Sequence, residues 1–152
     1  MKRKGFTLIE LLMVVAIIGI ITSIAVPNFF IAHNRAKQRA TAAEMNSYGK
    51  CISTYQIDAQ GNVPDCDGDI FCLYSSLVPA YSGTLTRVDQ WGNTFLYSNF
   101  GAVIGDGGRI SYELRSCGAD GLPGAMLEKD SPITAFELDI VLRDGSFISW
   151  IK

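Results

Sequence analysis

The sequence predicts an α+β chain in which a long N-terminal α-helix, its first half fit to span a membrane, packs on a small antiparallel β-sheet. Three patterns predict it: an apolar run near the N-terminus, an apolar stripe at spacings of three and four beyond it, and two-residue alternation in the C-terminal half. The 152 residues leave room for one domain besides the helix.

The first element opens with the cationic Met1-Lys2-Arg3-Lys4, and every residue from Leu11 to Ile21 is apolar or Gly. Between Phe6 and Val26 the only polar side chains are Thr7, Glu10, Thr22 and Ser23. At about 1.5 Å per residue this stretch covers roughly 30 Å, one hydrocarbon thickness. Glu10 is the anomaly, because an ionised carboxylate at the bilayer centre costs about 2.5 to 3.5 kcal/mol. The span holds no cation to meet it. A cut after Gly5 would create one, as a new amine on Phe6 that a neighbouring molecule's Glu10 could approach. An ordinary secretory signal has a shorter apolar core and a small-residue exit. Ser23-Ile24-Ala25 resembles such an exit, but the longer run with a Glu inside it does not fit that pattern.

The helix is expected to continue to about Asp58. Residues 29 to 57 contain no Pro and only Gly49, while Met45, Tyr48, Ile52 and Tyr55 form a stripe able to pack a domain on one face. Pro27 lacks a backbone donor and crowds the carbonyl of Ser23, and Gly19 is a second weak point, so a kink or loosening is expected between them. From Asp58 to Asp69 the composition turns to Gly, Pro, Asp and Asn, which is loop chemistry. Asp65, Asp67 and Asp69 alternate, but the Gly offset and the missing closing Glu set them apart from a calcium-binding helix-loop-helix. A short helix is expected over Phe71 to Val78.

Four strands follow: Thr94 to Ser98, Ile110 to Ser116, Glu137 to Arg143 and Ser146 to Ile151. In the second, Ile110, Tyr112 and Leu114 face one way and Ser111, Glu113 and Arg115 the other. Asp144-Gly145 is a two-residue hairpin turn between the last two strands. The stripe on the helix is the expected cover for the apolar face of this sheet.

The four cysteines form an even set without metal-site spacing, which in an exported domain reads as disulfides with three connectivities open. We favour Cys66–Cys72, closing a short loop, and Cys51–Cys117, tying the helix to the sheet; a reducing compartment would leave all four as thiols. The formal charge of −2 falls to −5 without Lys2, Arg3 and Lys4, which argues against binding nucleic acid by counterion release. Beyond Lys2, Arg3 and Lys4 the only basic cluster, Arg35, Lys37 and Arg39, reads as a solvated or subunit-facing surface. The sole His33 lies among Ala, Asn and Arg, and the chain carries no nucleophile elbow, phosphate loop or metal-ligand pair, so an enzyme is not expected.

Gly5-Phe6-Thr7-Leu8-Ile9-Glu10 resembles the prepilin class III signal of type IV pilins and type II secretion pseudopilins. Asp89-Gln90-Trp91-Gly92-Asn93-Thr94-Phe95-Leu96-Tyr97, Cys117-Gly118-Ala119-Asp120-Gly121, Leu138-Asp139-Ile140-Val141 and Asp144-Gly145-Ser146-Phe147 resemble the major pseudopilins of type II secretion systems. The resemblance implies the type IV pilin fold, with residues 1–5 a leader, 6–28 the membrane and assembly half of the helix, 29–58 its amphipathic half and 59–152 a periplasmic domain. It implies cleavage between Gly5 and Phe6, N-methylation of Phe6, and pairing of Glu10 with a neighbour's new N-terminus. The stretch from Gly19 to Pro27 would loosen in the filament.

The implied role is a structural subunit, single-pass in the inner membrane and then extracted into a short periplasmic filament that drives protein export. Its implied partners are copies of itself, minor pseudopilins, the prepilin peptidase and the inner-membrane assembly platform, with no nucleic acid required. The alternative is a surface type IV pilus for adhesion, motility or DNA uptake. The resemblance also implies a calcium ion held by Asp120, Asp139 and the carbonyls of Cys117 and Leu122. Calcium takes six to eight oxygens, so Glu137, Glu128 or Asp130 would have to complete the shell.

Overall fold

The computed structural model describes residues 5–66, 68–100, 111–124 and 136–148. Its elements are α1 (Leu8–Asp58), α2 (Ile70–Leu77), β1 (Leu96–Phe100), β2 (Ser111–Ser116), β3 (Ile140–Arg143) and β4 (Ser146–Phe147). The chain divides into two compact units, Met1–Ala36 and Lys37–Lys152.

In the first unit α1 stays helical through both Gly19 and Pro27. Short polar side chains bond back to carbonyls along this stretch: Thr22 to Ile18 and Gly19 (2.8 and 3.1 Å), Ser23 to Ile20 (2.7 Å) and Asn28 to Ile24 (3.1 Å). Such bonds keep hydroxyl and amide groups satisfied where water is absent. The large apolar side chains from Phe6 to Ile31 are exposed, and the best 18-residue window has a mean hydropathy of 2.6. A helix apolar all round with nothing against it is suited to lipid or to other helices.

The second unit is built on the later turns of α1. Met45, Tyr48 and Ile52 are fully buried and Tyr55 packs at the margin, as the stripe requires. Gly49 completes that face, for a Cβ there would lie 3.1 Å from Leu142 Cδ2 and 3.4 Å from the Tyr112 hydroxyl. Its absence lets helix and sheet approach closely. The sheet is an antiparallel meander in the order β1-β2-β3-β4. Tyr97 stands opposite Leu114, which stands opposite Leu142, and these apolar residues share the buried face. Aromatic pairs knit the core, Tyr48 edge-on to Phe95 at 6.0 Å and Tyr97 stacked on Tyr112 at 6.4 Å. Their hydroxyls reach carbonyls where the core ends, Tyr48 to Thr86 (2.7 Å) and Tyr97 to Pro64 (2.9 Å).

α2 begins one residue ahead of expectation, with Asp69 as N-cap accepting from the Phe71 amide at 2.8 Å, and buries Ile70, Leu73 and Leu77. Asp144-Gly145 forms the expected β3–β4 turn, both residues at positive φ (48° and 76°), matching the twist of the strands it joins. Three strands differ from expectation: β1 lies two residues on, at Leu96–Phe100, β3 starts at Ile140, and β4 stops at Phe147 with Ile148 outside it. Thr94 forms an isolated bridge with Val88, and β1 starts at Leu96. Residues 136 to 139 are not strand, because this backbone is tied to the loop after β2: Ala119 donates to the Phe136 carbonyl at 2.8 Å. Ile110 and residues 149–151 of the expected last strand lie outside the described residues.

Candidate assembly site

The segment expected to direct assembly is held by reciprocal hydrogen bonds. Thr7 is the N-cap of α1, and Glu10 is three residues inside it. The Glu10 amide donates to Thr7 Oγ1 at 3.3 Å, while Glu10 Oε2 accepts from the Thr7 amide at 2.8 Å and from the Thr7 hydroxyl at 2.7 Å. This is a capping box, which satisfies two helix-end donors with two side chains. It also answers how one molecule carries a carboxylate at the head of an apolar span: the charge is met by two donors of its own chain. The signature was present as Thr7-x-x-Glu10, yet the sequence reading assigned Thr7 no part. Phe6, just ahead of the cap, is 73 % exposed. His33 stacks on Phe29 at 6.0 Å, and Phe29 meets Phe30 edge-on at 6.1 Å.

In the second unit one of the two expected disulfides is present. Cys66 and Cys72 are bonded, their Cα atoms 5.5 Å apart, pinning the loop to the first turn of α2. The Cys51–Cys117 bridge is not formed, and both residues are buried free thiols. Each sits in a separate setting: Cys51 faces the Tyr81 carbonyl at 3.7 Å, and Cys117 follows β2 beside Asp139 and Arg115. Burial pushes the Cys117 thiol up, with the Asp139 charge adding to it.

Sequence reasoning also missed the buried polar centre of the Trp-Gly turn. Asp89 is 4 % exposed; its Oδ1 accepts from the Trp91 and Asn93 amides (3.0 and 2.8 Å) and its Oδ2 from the Ser116 hydroxyl (2.7 Å). Asn93 in turn donates to the Gly118 carbonyl at 2.7 Å. The signal was the strand parity, which puts Ser116 on the same face as Tyr112 and Leu114, where a hydroxyl needs a buried partner. Gly118 has φ +65°, and a Cβ there would lie 2.8 Å from the Phe136 carbonyl, so only glycine fits.

The residues implied for calcium are differently engaged. Asp120 Oδ1 accepts from the Leu122 amide at 3.1 Å, a turn within its own loop. Asp139 Oδ2 accepts from the Gly124 amide (2.9 Å) and from Arg115 Nη1 (3.1 Å). Among the described residues no three His, Cys, Asp or Glu side chains gather as a metal-binding set. Glu137 is exposed, and Glu128 and Asp130 lie outside the described residues. A guanidinium against Asp139 is the wrong neighbour for a dication, and among the described residues the implied donors are engaged by groups of this chain instead.

Arg115 also bonds Glu113 Oε1 (2.7 Å from Nη2), and Arg143 Nη2 bonds Glu113 Oε2 at 2.6 Å. Burial acts to raise the Glu113 carboxyl, but the hydrogen bonds and charges of the two arginines outweigh it and hold the group below its ordinary value. At Asp139 burial prevails and the carboxyl is raised, despite the Gly124 amide and the Arg115 charge.

A capped apolar helix exposed on every side, followed by a helix-on-meander domain, defines the class of type IV pilin-like filament subunits, and the comparisons with known proteins agree. The prokaryotic N-terminal methylation motif matches residues 1–26, and the model of type II secretion system protein G matches residues 28–135. The chain belongs to the type II secretion system protein G family. It is 24 % identical to the type II secretion system core protein G of Escherichia coli over 131 residues, covering 81 % of this chain and 86 % of the relative. The core protein G of Vibrio cholerae is 29 % identical over 131 residues, with 81 % and 85 % covered. The major component of the wide type IV pilus of Thermus thermophilus is 47 % identical, but over 57 residues, 38 % of this chain and 44 % of the relative. No solved structure matches the chain.

Proposed function

We propose that this protein is the major pseudopilin of a type II secretion system, a structural subunit cleaved after Gly5, N-methylated on Phe6 and polymerised through its apolar helix. The observation that carries the reading is the family match over residues 28–135, which takes in most of the second unit, where the pilus relative quoted above matches only a part of the chain. On this reading the subunit waits in the inner membrane with its second unit in the periplasm, and its partners are further copies, minor pseudopilins, the peptidase and the assembly platform. Apolar side chains from Phe6 to Val26 bury one another in the filament, while Glu10 exchanges its own Thr7 donors for the neighbour's Phe6 amine. An incoming subunit out of step leaves that carboxylate unpaired in an apolar core, which disfavours it.

Two measurements test this. Mass spectrometry of the protein from its native membrane is expected to give a chain beginning at methylated Phe6; a start beyond Ala25 would overturn the proposal. Deleting the gene should stop export of secreted proteins, with Glu10→Ala failing to restore it although the variant is made and folded. Loss of surface pili with export intact would favour the pilus reading instead.

A further inference from the structure

The loop that leaves β2 is closed over a cluster of charges that balance among themselves. Arg115 Nη1 donates both to Asp139 Oδ2 (3.1 Å) and to the Gly124 carbonyl (3.1 Å), and the Gly124 amide donates back to the same Asp139 oxygen at 2.9 Å. One positive centre thus gathers a carboxylate oxygen and a backbone carbonyl from the two sides of the loop, a task a hard cation performs in metal-closed loops. We infer that Arg115 takes that task here, so that the 117–124 loop is locked to Asp139 by an internal guanidinium and closes without a divalent ion.

Arg115 and Arg143 face Glu113 and Asp139, two cations against two anions, and the side chains are 16, 38, 7 and 1 % exposed. A calcium ion placed on Asp139 would set a dication against the Arg115 guanidinium in a cluster that is mostly out of water, or would drive Arg115 from its three acceptor groups. Either is costly, because an ion buried without a partner gives up hydration that nothing replaces. Arg115 itself is fixed: its Nε and Nη2 both hold Glu113 Oε1, at 3.2 and 2.7 Å, while Arg143 anchors the other Glu113 oxygen. The planar fork is suited to bonding several acceptors at once, which a lysine ammonium on a flexible stem cannot reproduce.

The test uses the full chain in detergent micelles. Its thermal midpoint is expected to be the same within about 1 °C in about 5 mM calcium and in excess chelator. A midpoint several degrees higher in calcium would overturn the inference without recourse to any variant. Arg115→Met, measured in chelator, should speed hydrogen exchange at the Gly124 amide by about tenfold or more while leaving the Leu142 amide in the core unchanged. Unaltered protection of Gly124 in that variant would also refute it, since the guanidinium would then not be what locks the loop.

Discussion

The early and late turns of α1 are the same secondary structure made to opposite specifications. From Leu8 to Ile31 the large apolar residues are exposed on all sides, while from Gln38 to Ile52 burial recurs at helical spacing, at Gln38, Thr41, Met45, Tyr48, Gly49, Cys51 and Ile52. The first pattern has no favoured face, which suits a helix met by lipid or other helices all round; the second has one because the sheet and the 81–95 segment of the same chain pack against it. Helix propensity does not separate the two. What separates them is where the partner atoms are, inside the chain for one and outside it for the other.

The largest effect should come from removing a side chain on the inward-partnered part. Tyr48→Ala deletes a fully buried ring and its bond to Thr86, and is expected to cost about 3 to 5 kcal/mol in thermal or chemical unfolding of the second unit. Ile17→Ala, on the outward-facing part, should leave that transition unmoved; equal losses from both would erase the distinction. A smaller effect belongs to the staple at Cys66–Cys72. Its closed loop is short, so replacing both residues by Ser should cost about 2 kcal/mol, and a thiol reductant should lower the wild-type midpoint but not that of the double variant.

The smallest effect concerns pH and again belongs to the second unit. Glu113 is held below its ordinary value when folded, so its contribution is complete above the unfolded carboxylate value, near 4.5, and is lost as pH falls through the lower folded value. Asp139, raised by burial, has the opposite sign: what it contributes is present at low pH and lost as pH rises through its folded value. Because Asp139 is common to both proteins, the difference between wild type and Glu113→Gln isolates Glu113. The wild type should lose more stability than the variant between about pH 6 and pH 3. Parallel acid limbs would show that the arginines do not favour the charged form.

What was legible in the sequence was periodic. The stripe of Met45, Tyr48 and Ile52, the alternation of Tyr112 and Leu114 and the Asp144-Gly145 turn each depend on residues a few places apart, and each appears where expected. The limits of β1 and β3 were not legible, because Thr94 and residues 136–139 are drawn from the sheet by bonds to other loops. Cysteine pairing is a matter of distance, and an even count could not tell that Cys51 and Cys117 stand apart as thiols. Within the site, the Thr7–Glu10 cap was written in the spacing and went unread. The bond from Arg115 to Asp139 joins residues 24 apart, beyond what local pattern conveys.

The greasy wall of α1 has a geometrical consequence for any polymer built from it. A rod equally sticky at every azimuth has no preferred docking direction, so a newcomer can touch several earlier copies at once instead of stopping at a pair. Such contacts hardly change when one rod slides along another by a fraction of a turn. On the proposed reading the axial step is chosen by the polar notch at the rod's tip, where Thr7 and Glu10 meet.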